Sequence, residues 1–209
     1  MKISEPNLAS GFSTRVARRS RSTKETNIEV ELNLDGKGIV EASTGLAFFD
    51  HMIDQLGRHG GFDLVVRADG DLLVDTHHTV EDVGIVIGEC LKEALGDKAG
   101  IRRFASMLLP LDEALIEIAL DLSGRPFIAF DVPFAPDTPG LGTPPFDPQL
   151  TEEFWRAVAM SAELTLHVKK REGRNTHHVV EAVFKGIART LREAVRVEGV
   201  AIPSTKGSL

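Results

Sequence analysis

Between residues 27 and 34 apolar side chains take every second position, Ile28, Val30, Leu32 and Leu34, with polar residues between them. Successive side chains of a strand point to opposite faces, so this alternation predicts a half-buried strand. The Asp-Gly at 35–36 then predicts a hairpin turn into a second strand at 38–43. At 46–56 the apolar spacing changes to three and four residues, which predicts a helix. A strand follows at 62–68, closed by another Asp-Gly turn at 69–70. Residues 80–95 carry Val83, Val86, Ile87, Leu91 and Ala94 along one helical face, ending at Gly96. Ahead of all this, the basic run 15–24 reads for the most part as a solvated strand.

The same order returns further on. Strands are predicted at 114–122 and 127–132, a helix at 152–162, a strand at 164–170 and a long helix at 176–196. The segment 133–148 holds six prolines and is predicted to be a loop. The chain is therefore expected to be an α+β protein of two duplicated ββαβα-like halves, 14–98 and 99–209, forming one unit behind a loose tail at 1–13.

Composition narrows the function. The 209 residues carry a formal net charge of -7, so any anion must be met by a local basic pocket, and nucleic acid is an improbable general partner. No apolar run is long enough to span a membrane. The first residues lack the apolar core of a signal peptide. Cys90 is the only cysteine and lies in an apolar stretch, which predicts a small core residue and fits a reducing, cytoplasmic setting.

Four of the seven histidines occur in two copies of one motif, Thr76-His77-His78-Thr-Val-Glu81 and Thr176-His177-His178-Val-Val-Glu181, one hundred residues apart. Each copy opens a helical pattern. Residues four apart share a helix face, whereas neighbours point about 100° apart. His77 and Glu81 can therefore hold one metal ion while His78 is aimed elsewhere, and the same applies to His177, Glu181 and His178. One copy offers two ligands to one ion and a single ligand to another. Two copies resolve this as a pair of ions, one on His77, Glu81 and His178, the other on His177, Glu181 and His78. A lone copy would read as a histidine pair packed or solvated at a helix start; cationic histidine is disfavoured there by the helix dipole, but neutral, ligating histidine is not. His51, on the helix at 46–56, and its repeat counterpart Glu153 are the expected further ligands. His59 and His167 have weaker claims, and His167 lies on a predicted strand.

With Arg21-Ser-Thr-Lys-Glu25-Thr, Phe49-Asp-His51-Met, Asp75-Thr-His-His-Thr-Val-Glu-Asp82, Asn175-Thr-His-His-Val-Val-Glu-Ala182 and Pro203-Ser-Thr-Lys-Gly207, the chain resembles the imidazoleglycerol-phosphate dehydratase family over about 15–207. The resemblance implies two duplicated halves with helices sandwiched between two sheets, and two manganese ions per active site. It also implies a cytoplasmic homo-oligomer of cubic symmetry, with twenty-four subunits and sites formed between them. The family usually has histidine where this chain has Glu153, so the ion on His77, Glu81 and His178 would gain a carboxylate.

The implied reaction removes a proton from carbon and hydroxide from its neighbour. A substrate imidazole held as imidazolate between two cations can accept the electrons, and mixed imidazole and carboxylate ligands suit manganese. The resemblance makes Glu25, otherwise readable as a solvated strand-end charge, the candidate for proton transfer. Glu81 and Glu181 complete the catalytic carboxylates. For the substrate's phosphate it offers Arg103, Arg125, Ser204 and Lys206, donors suited to phosphate. Two other classes would use similar ligands: a two-metal hydrolase, and a metal-storage or metal-sensing oligomer without the phosphate set.

Overall fold

In the computed structural model, which describes residues 15–209, twelve elements follow one another in two rounds of the same order. The first round is β1 (Val16–Ser22), β2 (Thr26–Asn33), β3 (Val40–Ser43), α1 (Ala47–Gly60), β4 (Asp63–Gly70) and α2 (His77–Leu95). The second is β5 (Phe104–Leu111), β6 (Ala114–Asp121), β7 (Phe127–Asp131), α3 (Leu150–Ser161), β8 (Thr165–Glu172) and α4 (Thr176–Ala194). The α+β class and the duplicated order are those the sequence predicts, with one more strand at the head of each half. β1 is the basic run read as a solvated strand. β5 has no clean alternation; it is an edge strand whose Phe104 and Leu108 face outward, exposed. The tail expected at 1–13 lies outside the described residues.

Each round builds one sheet, ordered β1-β2-β4-β3 and β5-β6-β8-β7. Both Asp-Gly pairs do something other than turn a hairpin. β3 does not fold back on β2; it runs parallel to β4 on the far side, from Val40 opposite Leu64 to Ser43 opposite Arg67. The cause is Asp63 at the start of β4. Its Oδ1 accepts the N–H groups of Lys37 at 2.8 Å and Ile39 at 3.1 Å, and Oδ2 accepts Asn33 Nδ2 at 3.3 Å. The chain leaving β2 is thereby wrapped around β4, so tightly that a Cβ on Gly36 would lie 2.2 Å from the Asp63 nitrogen. Asp69 and Gly70 belong to β4 itself, paired with Asn27 and Thr26.

The four helices lie between the sheets. α2 packs on β1, β2 and β4, α4 on β5 and β6, α1 on β3 and β4, and α3 on β7. Across the layer α2 meets α3, and α1 meets α4. One hydrophobic cluster spans both halves, from Ile28 and Val30 to Ile116 and Ile118, with Trp155 and Phe184 among its largest fully buried members. Cys90 lies within it, its thiol pushed up to about 12 by burial. The loop at 133–148 is anchored by buried Phe146, which packs on Phe48 and Phe49 of α1.

The contact between α2 and α3 depends on two glycines one turn apart. A Cβ on Gly84 would lie 2.8 Å from the Phe154 carbonyl oxygen and 2.9 Å from Ala157 Cβ; one on Gly88 would lie 2.8 Å from the Val158 carbonyl oxygen. Backbone oxygen cannot swing aside as a side chain can. Helix propensity alone favours alanine by about 1 kcal/mol, whereas overpacking costs about 1–3 kcal/mol. Gly84→Ala should therefore lower the thermal unfolding midpoint, while Gly199→Ala, where nothing lies within 4 Å, should leave it nearly unchanged. An unaltered or raised midpoint for Gly84→Ala would show that the two helices do not need this approach.

Candidate metal centre and phosphate pocket

The packing of α1 on α4 sets the first cluster. Asn175 caps α4, its side-chain oxygen accepting the N–H of His178 at 3.3 Å, so the second His-His-x-x-Glu motif occupies the first turns of the helix. His177 Nε2 lies 2.8 Å from Glu181 Oε2, the i,i+4 geometry expected from the motif. His51, from α1, brings its Nε2 to 3.4 Å from the same oxygen. Among the described residues, His51, His177 and Glu181 are the only group of three or more His, Cys, Asp or Glu whose ligand atoms all lie within 4.8 Å of one another. Gln55, one turn on from His51, holds its amide 3.4 Å from His51 Nδ1, and Phe48 meets the His177 ring edge-on at 5.2 Å. Burial alone would raise Glu181, but hydrogen bonds from Lys185 and His177 outweigh it and hold the carboxyl below the usual range. Two imidazole nitrogens and a carboxylate oxygen in this arrangement suit a divalent ion such as manganese.

The other members are distributed differently from the groups expected above. His77 Nε2 lies 3.6 Å from Glu81 Oε2 on α2. Glu153 stands in the first turn of α3, which abuts α2 through Phe154 and Gly84, but its carboxylate lies 3.7 Å from Arg156 and closes no triad with His77 and Glu81. His78 and His178 turn away from their own motifs, each ring roughly perpendicular to its neighbour's. His78 Nδ1 donates to Asp71, 3.1 and 3.2 Å from its two oxygens, and this hydrogen bond raises the histidine above its ordinary value. His178 Nδ1 donates to Glu113 at 2.7 Å, which raises His178 and holds the Glu113 carboxyl down to about 2. Within one chain, then, His178 is not grouped with His77 and Glu81, nor His78 with His177 and Glu181; His51 joins the latter pair instead. Asp71 and Glu113 were not among the sequence-derived candidates. Glu113 could have been found, because it precedes β6 as Glu25 precedes β2. Glu25 is exposed and lies 3.9 Å from His78 Nδ1.

Arg103, Arg125, Ser204 and Lys206 do converge. With Pro203, Thr205 and Ser208 they line an open cavity of about 580 Å³. Arg103, at a left-handed φ of 74°, is fixed by Asp121, 2.7 Å from its Nε, and by the Pro203 carbonyl, 2.7 Å from Nη1. Arg125 is 65% exposed; its Nη2 lies 3.6 Å from the same Asp121 carboxylate and its Nη1 3.5 Å from the Ser123 carbonyl. The backbone N–H of Arg103 donates to Ala194 at the C-terminal end of α4. A helix of 19 residues is about 28 Å long, so this pocket and the triad at His177 lie at opposite ends of α4. His59 sits on α1 outside both sets, its pKa lowered by burial, and His167 is exposed on β8.

The family model described as imidazoleglycerol-phosphate dehydratase matches residues 44–191. The imidazoleglycerol-phosphate dehydratase of a Parafrankia species is 54% identical over 198 residues, 93% of this chain and 99% of the relative. That of Alkaliphilus metalliredigens is 52% identical over 200 residues, 94% and 100% of the two chains. Among solved structures, the imidazoleglycerol-phosphate dehydratase of Staphylococcus aureus aligns with a TM-score of 0.77 at 36% identity, over 87% of this chain and 99% of that one. The corresponding structure from Pyrococcus furiosus gives 0.77 at 35%, over 91% and 100%. Matched in sequence and in fold along most of its length, with both histidine motifs inside the matched span, the chain belongs to the imidazoleglycerol-phosphate dehydratase family.

Proposed function

We propose that this hydro-lyase converts imidazole glycerol phosphate to imidazole acetol phosphate in histidine biosynthesis, at a site built around two manganese ions and completed by other copies of the chain. The observation that carries the reading is the convergence of His51, His177 and Glu181 in a member of this family. The triad would hold one ion, and His77, Glu81 and Glu153 would contribute to the other. His78 and His178, each turned out of its own motif, would serve ions on neighbouring copies. The ions, when bound, would supply the positive charge that lets the substrate's imidazole ring act as electron sink.

Everything else falls to side chains. One C–H bond and the neighbouring C–O bond break, one water leaves, and the enol tautomerises to the ketone. Glu25, exposed and close to His78, is a carboxylate able to move the proton at carbon. Arg125, Ser204 and Lys206 would hold the phosphate, and Arg103 would shape the cup through Asp121 and Pro203. A substrate with a three-carbon chain cannot bridge the length of α4 between triad and phosphate pocket. This supports a site shared between subunits of a homo-oligomer, in line with the expected twenty-four-subunit assembly. Among the described residues no helix is long and apolar enough to cross a membrane, and a cytoplasmic location remains part of the proposal. The deciding experiment is turnover of imidazole glycerol phosphate by metal-stripped protein with manganese added back; hydrolysis of generic phosphate esters instead would make it a hydrolase.

If ligands from several chains meet on one ion, metal binding contributes to assembly. Exhaustive chelation should then shift the protein to smaller species in size-exclusion chromatography as activity is lost. A particle of unchanged size that regains activity with manganese would separate the two.

Lys206→Ala and Arg125→Ala should weaken substrate binding while metal content stays at the wild-type level. Each charge-assisted contact is worth roughly 1.5–3 kcal/mol, so KM should rise about ten- to a hundredfold. Normal kinetics in both variants would remove them from the phosphate site, and loss of metal would assign them to folding.

Glu153→His should restore the family's usual ligand and keep the enzyme active, whereas Glu153→Ala should weaken one of two manganese ions per chain. Elemental analysis alongside manganese-dependent turnover reads this out. Two tightly held ions and full activity in the alanine variant would return Glu153 to the surface.

A further inference from the structure

The two halves repeat an acid at one place and use it differently. β2 and β6 have eight residues each, so Glu25, just before β2, has Glu113, just before β6, as its counterpart. β4 and β8 correspond in the same way, so Asp71, just after β4, is matched by Gly173. In the first half Asp71 accepts a hydrogen bond from His78 Nδ1, and Glu25 stays 3.9 Å away with 56% of its side chain exposed. The second half has no carboxylate at position 173. Gly173 has φ 140°, and a Cβ there would lie 2.6 Å from Val179 Cγ2 and 3.2 Å from Ala114 Cβ.

His178 donates instead to Glu113, at 2.7 Å. The other Glu113 oxygen accepts the N–H groups of Asn175 at 2.7 Å and Arg174 at 3.1 Å. The turns beside these acids are also tied down differently. Buried Asp82 holds the β1–β2 turn through Arg21 Nε, at 2.9 Å, and the Thr26 hydroxyl, without engaging Glu25. The second motif has Ala182 at that place, so the turn before β6 is joined to α4 through Glu113.

We propose that Glu113 is a positioning residue for His178: it holds the ring as the Nδ1–H tautomer with Nε2 directed at a metal ion, the task Asp71 performs for His78, where it leaves Glu25 free for proton transfer. This rests on the metal-dependent reading given under Proposed function. A carboxylate on one imidazole nitrogen selects the tautomer, fixes the ring's direction and strengthens the other nitrogen as a ligand. Glu113 lies outside the reacting atoms and would influence the metal only through His178, besides tying residues 174–175 to the turn before β6.

The test is manganese titration by calorimetry, with elemental analysis, on the full chain and its Glu113→Ala and Glu113→Gln variants, each also in a His178→Ala background. Glu113→Ala should lower the affinity for one manganese ion per chain by roughly ten- to a hundredfold and spare the other. Glu113→Gln, whose amide oxygen still accepts from Nδ1–H, should recover most of the loss. In the His178→Ala background removing Glu113 should change nothing further, because no ring remains to be oriented. Unchanged affinity in a folded Glu113→Ala variant overturns the proposal. So does an equal additional loss without His178, which would make Glu113 a brace for residues 174–175. Should Glu113→Ala fail to fold, Glu113→Asp carries the same comparison, with a smaller loss that must again vanish without His178. Wild-type protein that binds no manganese would defeat the metal-dependent reading itself, a result distinct from either of these.

Discussion

Which histidines and carboxylates meet is decided by helix packing between the sheets, α1 against α4 and α2 against α3. A helix shows a neighbour only one face, and residues four apart share it. Each motif therefore has a histidine and a glutamate to present across the layer, while its second histidine turns to a carboxylate beside its own sheet. The partner helix comes from the other half, so the first half's His51 completes the second half's His177 and Glu181. Neither half builds this triad alone. The close approach at Gly84 and Gly88 and the core shared by both halves serve the same end, because a loosened helix layer would separate these side chains.

Electrostatics follows a similar division between fixed and free groups. The chain is acidic overall, with a formal net charge of -7, yet Arg103, Arg125 and Lys206 surround one cavity. Arg103 is largely buried and its charge is offset by Asp121, so it forms a wall of the cavity more than a mobile donor. Arg125 shares the Asp121 carboxylate at 3.6 Å but keeps most of its side chain in water, where solvent screens the pair. At the starts of β6 and β2, Glu113 is saturated with hydrogen bonds while Glu25, its counterpart, stays exposed near His78. Duplication supplied two equal acids, and the neighbours of each, Gly173 in one half and Asp71 in the other, separated their environments.

Much of the fold was legible. β2, α2 and α4 carry unmixed periods, and these survive folding because each element keeps one face on the core. The strand at 104–111 was not legible, since Phe104, Met107, Leu108 and Leu109 put apolar groups on both faces of an edge strand. The Asp-Gly pairs misled for a related reason. Gly36 and Gly70 are needed for close approach to Asp63 and Thr79, contacts with partners 27 and 9 residues away, while turn preference is a local property. In the site, the i,i+4 pairs were legible and the grouping was not. Asp71 carried no local signal, and Glu113 carried only its place in the repeat.

The sequence by itself determined the periods of strands and helices, the duplication, and the pairing of His177 with Glu181 and His77 with Glu81, because these depend on spacings within one or two turns of backbone. The tertiary structure decided that β3 joins β4, that His51 meets the second motif, that His78 and His178 are held by Asp71 and Glu113, and that the triad and the basic cavity lie at opposite ends of α4. Those outcomes belong to groups far apart in the chain, and only the packing of whole helices and sheets brings them together.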